Sequence, residues 1–598
     1  MNPLKELEQF GQAPWLDNLS RGLVKSGELK RLAEEEGIKG LTSNPAIFEK
    51  SIGHSDEYDE EIASLLQSGI SDVGAIFRKL AVADIKDACD ALHFVYENTK
   101  GVDGYVSLEV SPYIAHETEA TIAEAREIWA EVAKPNLMVK VPATAEGLPA
   151  IKKLIGQGIN INVTLLFAKD TYVKVAEAYI AGLEALPADF DLSKMASVAS
   201  FFVSRIDAMI DGKLENLIEK AKGDKKEKLQ GLLGKVAIAN AKLAYKEYLR
   251  LFSGPRWEKL KARGARPQRL LWASTGVKNK AYPDTLYVDT LIGQDTVNTM
   301  PPDTVTAFRE RGTASDALPQ NLEAAEQVIT DLKTTGISLD EVTDYLVVDG
   351  VDKFAVAADL LYGAIADKAD ALTGRKVTVA VDAAANTETI AAEMKAWAKD
   401  GVIRRLWAKD AKLWTNKGEA KWLGWLDIPT RVQQVLPQLT AFAAKVKAGG
   451  YSDAVLLGMG GSSLGADVVS ATFGRQSDAP AFHILDSTDP DEIAALDAKI
   501  KLETTLFIVA SKSGSTLEPN IFKAYYFDKL VKLVGKKKAG AQFVAITDPG
   551  SQMEKVAKTD GFADIFLGDP QIGGRFSVLS PFGLVPAAAM GIDVTAAQ

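Results

Sequence analysis

At 598 residues the chain exceeds one ordinary core; about 150 residues per domain predicts three to four domains, or fewer if one is a large α/β barrel. A composition of 47% apolar and 25% charged residues is that of a globular protein, and a net charge of −11 argues against nucleic acid or an anionic membrane as main partner, since both need a basic footprint. The single cysteine, Cys89, excludes internal disulfides, and the four histidines (His54, His93, His116 and His483) form no HExxH pair, so no transition-metal site is expected.

In chain order, the N-terminal MNPLKELEQFGQAPWLD lacks the apolar core of a secretory signal, and no stretch approaches the roughly 18 apolar residues of a membrane span. A cytoplasmic location is expected. Short apolar runs then alternate with amphipathic helical stretches, the pattern of an α/β fold. The predicted strands are PWLD, IKGLT, GYVSLEV, NLMVKVP, GININ, MASVAS, RLLWAS and DTVNTM, with helices such as Thr118 to Val132 and Thr171 to Glu184 between them. The longest insert runs from Phe201 to Gln268. After Pro301 the pattern is helical through Leu372, and a new β-run, KVTVAVD, starts at Lys376. The TGR step at Thr373 to Arg375 is the expected junction, giving domains 1–372 and 373–598.

Eight strands suit a (β/α)₈ barrel, in which polar residues at the C-terminal strand ends carry the chemistry. Those ends hold Asp17, Thr42 with Asn44, Glu109, Lys140, Thr164, Ser200, Ser274 and Thr299. Lys140 lies within LMVKVPAT, where desolvation disfavours the ammonium and frees an amine to attack a carbonyl. Asp17 and Glu109 would share its barrel mouth. An amine and two carboxylates in one apolar cavity suit Schiff-base aldolase chemistry. Taken singly, each has a plain alternative. Asp17 could cap a helix, Lys140 could lie outward along a helix, Thr164 and Ser200 could be ordinary strand-end hydroxyls, and Arg205 could be a surface arginine.

The motifs WLDNLSR, GLTSNPAIFEKSI, SLEVSP, NLMVKVPAT, INVTLLF, VASFFVSRID and LLWASTGVKN occur in consecutive order, and residues 4 to 368 resemble the transaldolase family. The resemblance implies a class I aldolase barrel that needs no cofactor or metal. It transfers a dihydroxyacetone unit from sedoheptulose 7-phosphate or fructose 6-phosphate to an aldose phosphate in the pentose phosphate pathway. By resemblance, Lys140 forms the Schiff base and Asp17 handles the hydroxyl proton in carbon–carbon cleavage. Glu109 and Thr164 position a proton-shuttling water. Asn44 and Ser200 hold the dihydroxyacetone hydroxyls. Arg205 binds the substrate phosphate, helped by Ser274, with Lys278 as the nearest further cation at a spacing that departs from the family's. The alternative is a Schiff-base lyase that cleaves fructose 6-phosphate and frees dihydroxyacetone.

The second half carries anion-binding loops. AVLLGMGGSSLGAD runs strand, turn, helix, with Gly458, Gly460 and Gly461 permitting close backbone approach and Ser462 and Ser463 adding hydroxyls. A dinucleotide fold is the rival, with Asp486 in place of the ribose-binding acid. LFIVASKSGSTLEP then sets Ser511, Lys512, Ser513, Ser515 and Thr516 after a second strand, a group suited to one phosphate monoester. Together with GGRFSVLS, these motifs resemble glucose-6-phosphate isomerase of the doubly wound sugar-isomerase (SIS) fold, from about residue 376 to 593. By resemblance Gly460, Ser462, Ser511, Lys512, Ser513 and Thr516 bind the sugar phosphate, and Arg575 stabilises an enediolate. That family's base lies downstream of GGRFS, so an incomplete domain is expected. Isomerisation would then belong to a longer fusion, and this portion would bind phosphosugar without catalysis. Small phosphorylated sugars are the expected partners; the oligomeric state is not legible.

Overall fold

The computed structural model describes residues 2–374, 387–474 and 476–597. The expected β-run at Lys376 lies outside them. The chain divides into two compact units, Met1–Gly401 and Val402–Gln598.

In the first unit, eight runs of apolar residues become β1 (Gln12–Asp17), β2 (Gly40–Thr42), β3 (Val106–Glu109), β4 (Leu137–Pro142), β5 (Ile161–Leu166), β6 (Ser197–Phe202), β7 (Arg269–Ala273) and β8 (Thr296–Met300). They close in sequence order into one parallel barrel, β8 pairing back onto β1. Nearly every strand residue is buried, because a parallel strand is covered by its partners on one face and by helices on the other. The helix predicted at Thr118 to Val132 has those bounds. β5 begins later than GININ suggested: Gly158 turns with φ +81°, and the strand carries INVTLL instead. Thr164 therefore lies inside β5. The register between β5 and β6 shifts between Val163 and Leu166, where Leu165 takes φ +54°, a bulge that re-aims the strand end.

Beyond β8, helices Pro302–Arg311, Leu322–Thr334 and Leu339–Thr373 follow. The last, 35 residues long, crosses the C-terminal end of the barrel. Its Gly350 sits so close that an added Cβ would lie 2.9 Å from Leu165 Cδ2 and 3.8 Å from Arg205 Nη1. No helix among the described residues is long and apolar enough to cross a membrane.

The second unit holds a parallel sheet of β9 (Asp453–Leu457), β10 (Ala481–Leu485), β11 (Thr505–Ala510), β12 (Phe543–Thr547) and β13 (Asp564–Leu567), in the order β10-β9-β11-β12-β13. Alternate strand residues feed two apolar layers. Leu456, Ile508 and Val544 pack with helices Leu436–Ala448 and Pro581–Ala589; Val455, Phe507 and Ala545 pack with Leu517–Val534 and Gln552–Asp560. The strand order reverses between β9 and β11, which opens a crevice at their C-terminal ends.

Candidate functional site

Parallel register brings the barrel residues together. Glu109 is the register partner of Lys140, and Lys140 that of Asn162, across three consecutive strands; Asp17 partners Thr42 on β2. Lys140 Nζ donates to the Ser43 carbonyl at 2.9 Å and lies 3.2 Å from Glu109 Oε2, both side chains less than a tenth exposed. It points inward, not along an outer helix. Thr42 Oγ1 donates to Asp17 Oδ1 at 2.7 Å and meets Thr299 Oγ1 at 2.8 Å. Asp17 caps no helix; Ser20 does, its hydroxyl accepting from Leu23 N. Ser200 donates to Asn162 Oδ1 at 2.7 Å, and Asn162 Nδ2 donates to Ser107 Oγ at 3.0 Å.

Burial pushes the carboxyls of Asp17 and Glu109 above the usual carboxylate range, against the pull of Lys140 on both. Two carboxyls whose pKa values burial raises, set beside one amine, are placed to exchange protons with a ligand bound there. Thr164 is fully buried, and among the described residues its Oγ1 has no hydrogen-bond partner, nor does Glu109 Oε2 have one of good geometry. An unpaired buried hydroxyl is costly, and Thr164 lines an interior where a small polar ligand or water would satisfy it. Asn44 Oδ1 accepts from Ile47 N and caps helix Pro45–Gly53.

Arg205 opens helix Ser204–Ile218, directly after β6. It is no surface arginine. Its guanidinium stands over the Phe202 ring at 5.2 Å, burial lowers its pKa, and among the described residues its buried Nη1 has no hydrogen-bond partner. Ser274, with φ +57°, reaches the same helix start, its hydroxyl 3.0 Å from Ser204 Oγ. Lys278 is exposed on the loop after β7.

Asn162 is a site residue that the sequence reading did not single out; Thr42 and Thr299 were noted as polar strand ends but given no role. The signal for Asn162 was available. It is a polar residue inside the apolar run INVTLL, the same anomaly that marks Lys140.

In the second unit both anion loops open from the switch point, Gly458 to Ser463 after β9 and Ser511 to Thr516 after β11. Gly461 lies against the GGRFS turn: an added Cβ would be 2.6 Å from Gly574 Cα, and Ser577 Oγ donates to the Gly461 carbonyl at 3.2 Å. Gly460 turns with φ +55°, and Ser462 closes that turn. Gly461, Ser462, Lys512, Gly574 and Ser577 line a cavity of about 200 Å³. Ser511 is buried, with no hydrogen-bond partner for its Oγ among the described residues. Ser513 and Thr516 sit on the turn before helix Leu517–Val534, their hydroxyls 3.5 Å apart. Lys512 also has protein partners. Its ammonium is committed to Asp548 at 2.6 Å and the Asp569 carbonyl at 3.0 Å, a brace between β12 and the GGRFS approach. Asp486, the residue of the dinucleotide alternative, accepts from Ser463 Oγ at 3.3 Å. Arg575 is exposed and lines a second, larger cavity with Trp414, Trp422, Trp425 and Phe576.

Comparison with known proteins follows the same division. Residues 14–365 match the sequence model of the Transaldolase/Fructose-6-phosphate aldolase family, and residues 422–597 match that of Phosphoglucose isomerase. A transaldolase of Trichodesmium erythraeum is 48% identical over 376 residues, 62% of this chain and 99% of that protein. One of Parafrankia sp. is 49% identical over 354 residues, 59% of this chain and 94% of the relative. A solved glucose-6-phosphate isomerase from Chlamydia trachomatis is 28% identical over 32% of this chain, with a TM-score of 0.26; the chain spans about a third (35%) of that structure's length. With the barrel closed and its interior lysine in place, the chain belongs to the transaldolase/fructose-6-phosphate aldolase family and carries a phosphoglucose isomerase domain after the barrel.

Proposed function

We propose that the barrel, as a domain over 1–372, transfers a dihydroxyacetone unit from sedoheptulose 7-phosphate or fructose 6-phosphate to an aldose phosphate through a Schiff base on Lys140. The observation that carries this reading is the buried amine 3.2 Å from one carboxyl whose pKa burial has raised, with a second such carboxyl, Asp17, held by Thr42. Lys140 Nζ attacks the ketose carbonyl, and the carbonyl oxygen leaves as water after proton transfers managed by Glu109 through a water held with Thr164. Asp17 then takes the proton of the C4 hydroxyl as the C3–C4 bond breaks, the electron pair passing into the iminium. The aldose departs, the three-carbon enamine left on Lys140 attacks the aldehyde of the acceptor while Asp17 returns the proton, and water hydrolyses the new Schiff base to release the product ketose and free the amine. Asn44 and Ser200 hold the hydroxyls of the retained fragment, and Asn162 fixes Ser200. Arg205, Ser274 and Lys278 take the phosphate. No step calls for a cofactor.

Borohydride treatment in the presence of fructose 6-phosphate should trap an adduct on the Lys140 peptide. With sedoheptulose 7-phosphate as donor and glyceraldehyde 3-phosphate as acceptor, the three-carbon unit should transfer without free dihydroxyacetone. An adduct on another lysine would overturn the assignment. Dihydroxyacetone released at the rate of donor loss would replace transfer by cleavage.

For the second domain, over 373–598, we propose binding of a hexose phosphate at the loops after β9 and β11. The unpartnered hydroxyl of Ser511 and the Gly461–Gly574 contact support it. Arg575 would stabilise an enediolate where a base forms one. A cytoplasmic setting suits both substrates.

A further inference from the structure

We propose that Asp207 and Asp211 are positioning residues that clamp the loop after β7 to the Arg205 helix, so that Ser274, Lys278 and Arg205 meet one phosphate. The proposal rests on reading Arg205 as the phosphate arginine.

The two aspartates lie one helical turn apart on helix Ser204–Ile218, two and six residues beyond Arg205, and both are buried, 1% and 5% exposed. Each accepts two hydrogen bonds of the same kinds. Asp207 takes Ala237 N at 2.7 Å on one oxygen and the Tyr287 hydroxyl at 3.0 Å on the other. Asp211 takes Gly234 N at 3.1 Å and the Tyr282 hydroxyl at 2.7 Å. One bond of each pair therefore ties down the start of helix Val236–Leu251 within the insert, and the other ties down the connection from β7 to β8. Gly234 has φ +68°, and an added Cβ would lie 2.9 Å from the Tyr282 ring, so tyrosine and insert are in close contact.

The other end of that loop is also fixed. Thr275 Oγ1 donates to Asn298 Oδ1 at 3.0 Å, while Ser204 N donates to the Ser274 carbonyl at 3.2 Å. Lys278 thus sits midway along a short span pinned to the barrel at Thr275 and to the helix at Tyr282. Its reach is set by both pins. Two carboxyls buried on one helix face repel each other and lose hydration, and an apolar pair would fill the space at lower cost. Four donors convert that cost into a fixed geometry, and what the geometry fixes is the loop opposite Arg205.

The test uses the full chain with Tyr282→Phe and Tyr287→Phe, singly and together, since phenylalanine keeps the ring packing and deletes the clamp's hydroxyl. The double variant should raise KM for fructose 6-phosphate about tenfold, the equivalent of one lost hydrogen bond in positioning, with kcat within about twofold. Turnover of unphosphorylated fructose should be unaffected. Tyr282→Phe alone, at a half-buried site, provides the same readout in smaller measure should the double variant not fold. An unchanged KM in folded variants, or equal losses with fructose and fructose 6-phosphate, overturns the clamp. Arg205→Ala run in parallel separates the two layers. If it raises KM while the tyrosine variants do not, only the clamp fails; if it leaves KM for fructose 6-phosphate unchanged, the phosphate reading fails and the clamp with it.

Discussion

The barrel mouth and the β9/β11 crevice both suit sugar phosphates, yet they are built from opposite materials. The barrel uses side chains that a protein interior ordinarily rejects: Lys140, Glu109 and Asp17 together in a buried site, oriented by strand register and by bonds to Ser43 and Thr42. The crevice uses backbone and small hydroxyls, with Gly461 packed on Gly574 and Ser511 waiting unpaired behind a glycine turn. A buried amine between carboxyls can make and break bonds, because burial raises its neighbours' pKa values and readies them to exchange protons. A nest of glycines and serines can bind an anion but moves no proton.

The comparison breaks first at Lys140. Lys140→Ala should lower transaldol turnover by about 10⁴-fold or more, as removal of a nucleophile does, while hexose phosphate binding in the second unit is untouched. Loss of both would mean that the two units do not act separately. Next, Asp17→Ala should cost about a hundredfold in kcat, the usual share of a proton-transfer group, while borohydride still traps the Lys140 adduct. Loss of the adduct would move Asp17 from bond cleavage to amine activation.

A pH experiment sharpens the point about burial. Asp207, beside the mouth, is pushed up to about 7, chiefly by burial. Between its ordinary value near 3.8 and about 7 the folded chain holds a proton that the unfolded chain has released, so this group lowers stability as pH rises through that window. Asp207→Asn removes the effect. Its Tm relative to the parent should climb by several degrees from pH 4 to pH 7 and level off above, and a constant difference would refute the shift. The smallest effect belongs to the crevice. Ser511→Ala removes a hydroxyl with no partner among the described residues, so stability should change by less than about 0.5 kcal/mol, yet hexose phosphate affinity should fall about tenfold. A large stability loss with unchanged affinity would make Ser511 structural.

Much of the barrel site was legible because its residues are anomalies of polarity. A lysine inside LMVKVP and an aspartate closing PWLD stand out against apolar runs, and register then brings such positions together. Asn162 escaped notice because the polar end of that strand was assigned to Thr164, whereas β5 runs from Ile161 to Leu166 and holds both residues inside it. Lys512 has a partner that the sequence did not reveal: Asp548, the acid it binds, lies 36 residues away on the neighbouring strand's exit.

By itself, then, the sequence determined the eight strands, their helical partners and the residue types at each strand end, since periodicity and local polarity are properties of short segments. Only the tertiary structure decided which polar groups are paired. It showed that Ser20 and not Asp17 caps the first helix beyond β1, that Arg205 is packed under Gly350 of a helix from far along the chain, and that Asp207 and Asp211 reach Tyr287 and Tyr282 some 70 to 80 residues away. Hydrogen-bond partners and burial depend on closure of the barrel, and no local pattern encodes a contact made across it.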